Sequence, residues 1–211
     1  MDLVVDVYHD ISCPWCRIGK ANLDAALAAM EGPRPVVRYR PFLLDPDAPE
    51  SGRPLADHFR EAKGIADPAP FLERAGRAGA EAGLRFRFDR ALAAQTRDAH
   101  RLLLLAPSDW QSDLLDAMHV AHFERGADLS DLATLTRIAG EAGMDAAEAL
   151  DLLESGAGTL ELQQELRASH RVVPGGVPWF VFGPRHALSG AQPPETMREA
   201  IEAALGAAVI C

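Results

Sequence analysis

β-patterned sequence is confined to the two ends of this 211-residue chain, and that distribution restricts the fold more than any other feature. At the N-terminal end, Leu3-Val4-Val5-Asp6-Val7-Tyr8 reads as a strand, and Leu23, Leu27 and Met30 recur behind it at helical spacing. Gly32-Pro33 stops that helix. Val36-Val37-Arg38-Tyr39-Arg40 then alternates as a half-buried strand closed by Pro41. This is a βαβ unit, with two parallel strands and a right-handed crossover expected. At the other end, the apolar run Val177-Pro178-Trp179-Phe180-Val181-Phe182 lies between the turns Gly175-Gly176 and Gly183-Pro184. His186-Ala187-Leu188-Ser189-Gly190 is its hairpin partner, and Pro193-Pro194-Glu195 opens a helix with Met197, Ile201, Ala204 and Leu205 on one face. Neither end carries enough strands to build a core alone. One small sheet drawn from both ends satisfies them together.

The intervening chain is patterned as helix. Asp45-Pro46-Asp47-Ala48-Pro49-Glu50-Ser51-Gly52 is loop chemistry. Beyond it come Leu55 and Phe59, the stripe Trp110, Leu114, Met118 and His122, and the stripe Leu132, Leu135 and Ala139. Asp145 followed by Glu148 resembles a capping box with Asp at its head. Arg85-Phe86-Arg87-Phe88 alternates over four residues, too short a run to establish a strand. The expected architecture is α/β: residues 1–44 and 171–211 form the sheet-bearing domain, and 45–170 an inserted, all-helical one.

Charge narrows the partners. Twenty-one basic residues against 31 acidic ones leave a net charge of -10. Nucleic acids and anionic membranes demand concentrated positive charge, so neither is an expected partner. No apolar run reaches the roughly 18 residues of a membrane helix. Met1-Asp2 leads straight into β-patterned sequence, without the basic and apolar regions of a secretory signal, so the cytoplasm is the expected location.

The three cysteines carry the chemical reading. Cys13 and Cys16 form a Cys-Pro-Trp-Cys pair between the first strand and its helix, and the third is Cys211. A structural zinc site needs four ligands, usually from two such pairs, and no second pair exists. His119 and His122 sit in an otherwise apolar helical stripe and read as ordinary helix residues, so no metal is expected. A redox dithiol fits the βαβ context better. Pro14 lacks an N–H and is pre-set for the first helical turn. Cys13 then falls in the N-cap region, where unpaired amides and the helix dipole favour thiolate over thiol. Cysteines so placed have pKa values between about 3.5 and 7.5. Cys16, one turn further in, is expected to be buried and to act as the resolving thiol. Trp15, with Pro14, tunes the pair from between its two thiols. Pro178 reads by itself as a proline that starts an edge strand.

Taken together, these residues resemble the DsbA-like thioredoxin-fold superfamily, and within it the FrnE-like branch. The resemblance rests on Asp10-Ile11-Ser12-Cys13-Pro14-Trp15-Cys16-Arg17-Ile18-Gly19-Lys20, on Thr96-Arg97-Asp98-Ala99-His100-Arg101, and on Gly176-Val177-Pro178-Trp179-Phe180-Val181-Phe182 followed by Leu188-Ser189-Gly190-Ala191-Gln192. It implies a thioredoxin-like βαβ…ββα fold with a helical insertion and dithiol–disulfide oxidoreductase or isomerase activity. Cys13 becomes the nucleophile, Cys16 the resolving cysteine, and Val177-Pro178 a cis bond facing the dithiol, its backbone turned toward a substrate that adds like an extra strand. Thiol- or disulfide-bearing proteins and peptides are the implied substrates, with no bound cofactor and glutathione as the candidate redox partner. The chain departs from the family pattern at Gln95, where asparagine is expected, and in carrying Cys211. That last residue reads either as a loose terminal thiol or as a second redox partner for the dithiol. Asp10 reads either as an acidic turn residue or as a group that tunes the dithiol.

Two other functions compete. Glutathione-dependent transferases of the kappa class and hydroxychromene-carboxylate isomerases resemble the same fold, but place serine at the position of Cys13. A metal-binding or scaffold module is the non-enzymatic alternative, and the chain offers it few soft ligands.

Overall fold

The computed structural model describes residues 3–208. The N-terminal βαβ unit is β1 (Val4–His9), α1 (Pro14–Ala28) and β2 (Val36–Pro41). The chain then runs through β3 (Arg53–Pro54), α2 (Leu55–Glu61), α3 (Ala69–Glu81), β4 (Leu92–Ala93), α4 (Arg97–Leu105), α5 (Gln111–Arg125), α6 (Leu132–Glu141), α7 (Ala146–Glu154) and α8 (Thr159–Val172). It closes with β5 (Trp179–Phe182), β6 (His186–Ser189) and α9 (Pro194–Ala208). The main sheet has the order β2-β1-β5-β6. β1 runs parallel to β2, with Val4 opposite Val36, and antiparallel to β5, with Val7 opposite Phe180. β6 pairs antiparallel with the outer edge of β5. The two ends of the chain therefore share one sheet, because each buries what the other cannot.

Two compact units make up the chain: Asp45–Gln164, and the segments on either side of it. In the sheet-bearing unit, Val5, Val7, Leu23, Phe180, Phe182, Met197 and Ile201 form the core, with α1 packed beside α9. Leu27, Met30 and Leu205 pack at its margin. Each fully buried aromatic or aliphatic side chain contributes about 1.5–3 kcal/mol by leaving water. The division between units falls inside α8.

The inserted unit departs from the all-helical expectation in one respect. Arg53 pairs with Ala93 and Pro54 with Leu92 in a short antiparallel ladder. Hydrogen bonds from Leu55 N to Ala91 O and from Gln95 N to Pro49 O lay the two segments side by side. A ladder of two residues per strand is too short to show an alternation in sequence. Arg85–Phe88 forms no strand. Instead, Phe86 and Phe88 stack at 5.1 Å, and both meet Phe123 edge-on. Aspartates start two of the helices: Asp131 accepts from Thr134 N, and Asp145 from Ala147 N and Glu148 N. Among the described residues, no helix is long and apolar enough to cross a membrane.

Candidate active site

The site begins where β1 ends. Asp10 closes the turn after the strand: its carbonyl accepts from Cys13 N at 3.1 Å and its Oδ1 from Ser12 N at 3.2 Å. Its Oδ2 accepts from Leu44 N at 2.8 Å, beyond the end of β2. Asp10 is only 2% exposed, so this carboxylate is held in place from two directions.

Cys13 is the N-cap of α1, in extended conformation with φ −87° and ψ 116°, and Pro14 follows as the first helical residue. The Cys13 carbonyl accepts from Cys16 N and Arg17 N at 3.1 and 3.2 Å, while its side chain makes no capping bond. The first turn of α1 carries no acidic residue to offset the positive end of the helix dipole. Both cysteines are thiols and both are buried, at 3% and 2% exposure. Burial pushes the Cys16 thiol well above the ordinary range, and its hydrogen bond to Cys13 and the Cys13 charge push further. A backbone hydrogen bond from Asp10 partly offsets this, while the Asp10 charge adds to it. Pro14 and Trp15 are half-buried at the helix start.

The other wall comes from the opposite end of the sequence. The Cys13 thiol donates to the Val177 carbonyl at 3.8 Å. The Val177–Pro178 bond is cis, as the resemblance implies. Val177 is half-buried and Pro178 buried. Pro178 O accepts from Gly190 N at 2.9 Å, which ties this segment to the end of β6. Gly19 lets α1 approach closely: a Cβ there would lie 3.0 Å from Phe180 Cζ and 3.1 Å from Pro178 Cγ. Asn22 Nδ2 donates to Gln192 O at 2.9 Å, a second tie between α1 and the terminal ββα unit. Cys13, Cys16, Pro14, Val177 and Pro178 thus come together inside one compact unit. Cys211 lies outside the described residues.

Sequence reasoning passed over a buried polar group in the same unit. Lys20 is 1% exposed; its Nζ lies 2.8 Å from Asp24 Oδ2 and 6.0 Å from the centre of the Tyr39 ring, against which His9 packs edge-on. The i,i+4 spacing of Lys20 and Asp24 was the available signal. In the inserted unit, His119 and His122 are buried against Phe123. No group of three His, Cys, Asp or Glu able to hold a metal occurs among the described residues. Gln95 Nε2 donates to Pro46 O and Ala48 O, clipping the loop that opens the unit. Arg101 donates to Leu152 O, Leu153 O and Ala157 O and pairs with Asp98. Gln95 and Arg101 therefore tie together segments of the inserted unit.

The sequence pattern that defines the DSBA-like thioredoxin domain matches residues 4–202. Among solved structures, a probable DsbA oxidoreductase from Streptomyces coelicolor is 31% identical, with a TM-score of 0.87 over 97% of this chain and 90% of that one. The cytosolic disulfide reductase DsbM from Pseudomonas aeruginosa, solved with GSH, is 19% identical, with a TM-score of 0.66 over 96% of this chain and 99% of that one. A 2-hydroxychromene-2-carboxylate isomerase is 16% identical, with a TM-score of 0.64 over 98% and 96%. At such low identity the last two speak for the fold alone, and the fold is thioredoxin-like with a largely helical insertion. No curated protein matches the sequence.

Proposed function

Because the chain belongs to the DSBA-like thioredoxin domain family, we propose that it is a thiol–disulfide oxidoreductase that cycles Cys13 and Cys16 on protein or peptide thiols. The observation that carries this reading is the placement of the Cys13 thiol at the N-cap of α1, facing the Val177 carbonyl, with the Cys16 thiol buried one turn further in.

In this reading Cys13 attacks a substrate disulfide as the thiolate and forms a mixed disulfide. The positive end of the dipole of α1, a helix of fifteen residues, favours negative charge at that position. The substrate chain aligns along the backbone of Val177, in the manner of an added strand. Cys16, held back as a thiol, then attacks Cys13 Sγ and releases the reduced product. Pro14 and Trp15 shape the approach to the two sulfurs. Two intact thiols, where glutathione-dependent transferases place serine, favour dithiol cycling over glutathione conjugation.

Glutathione is the redox partner we propose, and the cytoplasm is the proposed location. A disulfide reductase solved with GSH shares the fold, which is compatible with both. Turnover on a disulfide-bonded protein substrate with glutathione as reductant tests the reading. Cys13→Ser is expected to reduce turnover to the uncatalysed rate, and retained turnover would overturn the assignment.

A further inference from the structure

Three segments reach the same edge of the main sheet. β1 and β2 are parallel, so both end there, and β5, antiparallel to β1, begins there. The order β2-β1-β5 sets Cys13, which follows β1, between the start of β5 on one side and the end of β2 on the other. On the β5 side the Val177 carbonyl lies 3.8 Å from Cys13 Sγ. On the β2 side the chain runs on past Pro41 to Leu44. Phe42 N donates to His9 O at 2.8 Å, Leu43 is buried, and Leu44 N donates to Asp10 Oδ2 at 2.8 Å. Asp10 O in turn accepts from Cys13 N at 3.1 Å, so two hydrogen bonds through one residue tie Leu44 to the turn that carries the nucleophile. The Leu44 side chain is nevertheless 46% exposed, while Leu43 already anchors the segment. A lone exposed leucine is ordinary on a protein surface. This one differs in being pinned beside the reactive thiol.

We propose that Leu44 is a specificity-determining residue: its side chain receives an apolar side chain of the substrate, on the side of Cys13 away from Val177. The inference rests on the dithiol reading above and names the substrate class of that site, chains that carry an apolar residue close to the reacting cysteine. Neighbouring strands lie about 4.8 Å apart and an extended chain advances about 3.3 Å per residue, so the contact falls within about two residues of the substrate cysteine. Because Asp10 holds the Leu44 backbone, little ordering of the protein is needed when the contact forms. The contact accompanies the first step of the cycle. Cys13 gives up its proton to solvent, and its sulfur bonds to one sulfur of the substrate disulfide. The S–S bond of the substrate breaks, and its other sulfur leaves as a thiolate that takes up a proton. Cys16 then displaces the first sulfur in the same way, so the dithiol ends oxidised and the substrate disulfide ends as two thiols.

Symmetric disulfide dimers of a short single-cysteine peptide test this, with leucine or the uncharged, similar-sized glutamine placed two residues before or two residues after the cysteine. The reduced protein, in a Cys211→Ser background that leaves only the two thiols of the turn, is mixed with each dimer. Acid quenching and chromatography give the second-order rate constant for release of peptide thiol. One added or missing methylene in an apolar pocket changes discrimination about tenfold or more. A half-exposed leucine is expected to favour the leucine dimer about fivefold at one of the two placements at least. Leu44→Ala is expected to bring that ratio close to one, Leu44→Met to keep it, and Leu44→Glu to turn the preference toward a lysine-bearing dimer. Damage to the fold or to the Cys13 turn slows both dimers together and leaves the ratio standing, so the ratio separates contact from a structural role. A ratio near one at both placements before Leu44 is changed, or one that Leu44→Ala leaves intact, would overturn the proposal. Release of thiol from neither dimer above the uncatalysed rate would overturn the dithiol reading itself, and the inference with it.

Discussion

The Cys13 thiol donates to the carbonyl oxygen of Val177 at 3.8 Å, although 164 residues separate the two in sequence. The contact follows from the sheet. β1 delivers Cys13 at the head of α1, and β5, antiparallel to β1 with Tyr8 opposite Trp179, begins just after Pro178. Under the proposed function, a substrate paired with the Val177 backbone would thereby be brought to the sulfur that attacks it.

Cys16→Ser is expected to leave the attack intact and block release. In a Cys211→Ser background, which leaves only the dithiol cysteines, glutathione disulfide added to the reduced variant is then retained as a single stable adduct at Cys13, visible in the intact mass and removed by dithiothreitol. The same background with Cys16 in place is expected to end as the Cys13–Cys16 disulfide with no adduct. A Cys16→Ser protein that turns over like wild type would show that another thiol resolves the mixed disulfide.

At Gly19, α1 passes close to Pro178 and Phe180. In a helix interior, replacing glycine by a residue with a side chain ordinarily gains up to about 1 kcal/mol of propensity. Here an added Cβ would lie 3.0 Å from Phe180 Cζ, and valine adds two further methyl groups. Overpacking of a filled core costs about 1–3 kcal/mol. Gly19→Val is therefore expected to lower the urea midpoint and to slow attack by Cys13, because Pro178 shifts with Phe180. Both effects at wild-type values would show that this approach has slack.

Much of this site was legible in the sequence, because its signals are local. Pro14 after Cys13 fixes a helix start, and an apolar run between glycine turns marks β5, with β6 as its hairpin partner. Their union in one sheet followed because each end lacked a core of its own. What escaped notice depends on tertiary contact. Pairing Arg53 with Ala93 takes only two residues per strand, and Phe86 and Phe88 alternate yet pack on Phe123. Lys20 looks like a surface residue until Tyr39 and Asp24 enclose it. Asp10 was recognised as ambiguous, and its burial together with the bond to Leu44 N lies beyond any local pattern.

Arg101 caps the last turn of α7. Its Nη2 donates to Leu152 O and Leu153 O at 3.0 Å each, and its Nε to Ala157 O at 2.9 Å. Carbonyls in a final helical turn have no partner within the helix, and a cation there also meets the negative end of the dipole. Arg101→Met keeps much of the apolar stem but strips these acceptors and leaves Asp98 without its partner. An expected loss of about 1–2 kcal/mol follows: Ser155 Oγ still donates to Leu152 O and Gly156 N to Leu153 O, while Ala157 O and Asp98 lose the bond from Arg101. Urea unfolding measures it, and a loss below about 0.5 kcal/mol, typical of an ordinary surface substitution, would contradict the assigned role.

Asp45 gives the inserted unit a defined response to acid. Its Oδ2 lies 2.7 Å from His58 Nε2 and its Oδ1 2.7 Å from Lys63 Nζ. Partial burial alone would raise its pKa, but the hydrogen bonds and charges of Lys63 and His58 outweigh it and hold the carboxyl below its usual range. A carboxyl whose pKa is depressed by folding stabilises the native state above its unfolded value, about pH 3.9, and loses that contribution as pH falls through the folded value. The Lys63 side chain is 38% exposed, so solvent screening limits its part to about 1 kcal/mol or less. The stability gap between wild type and Asp45→Asn is therefore expected to be open at neutral pH and to close as the pH falls below about 4. Urea unfolding across that range checks the sign: a gap that widens on acidification would mean that folding raises the Asp45 pKa.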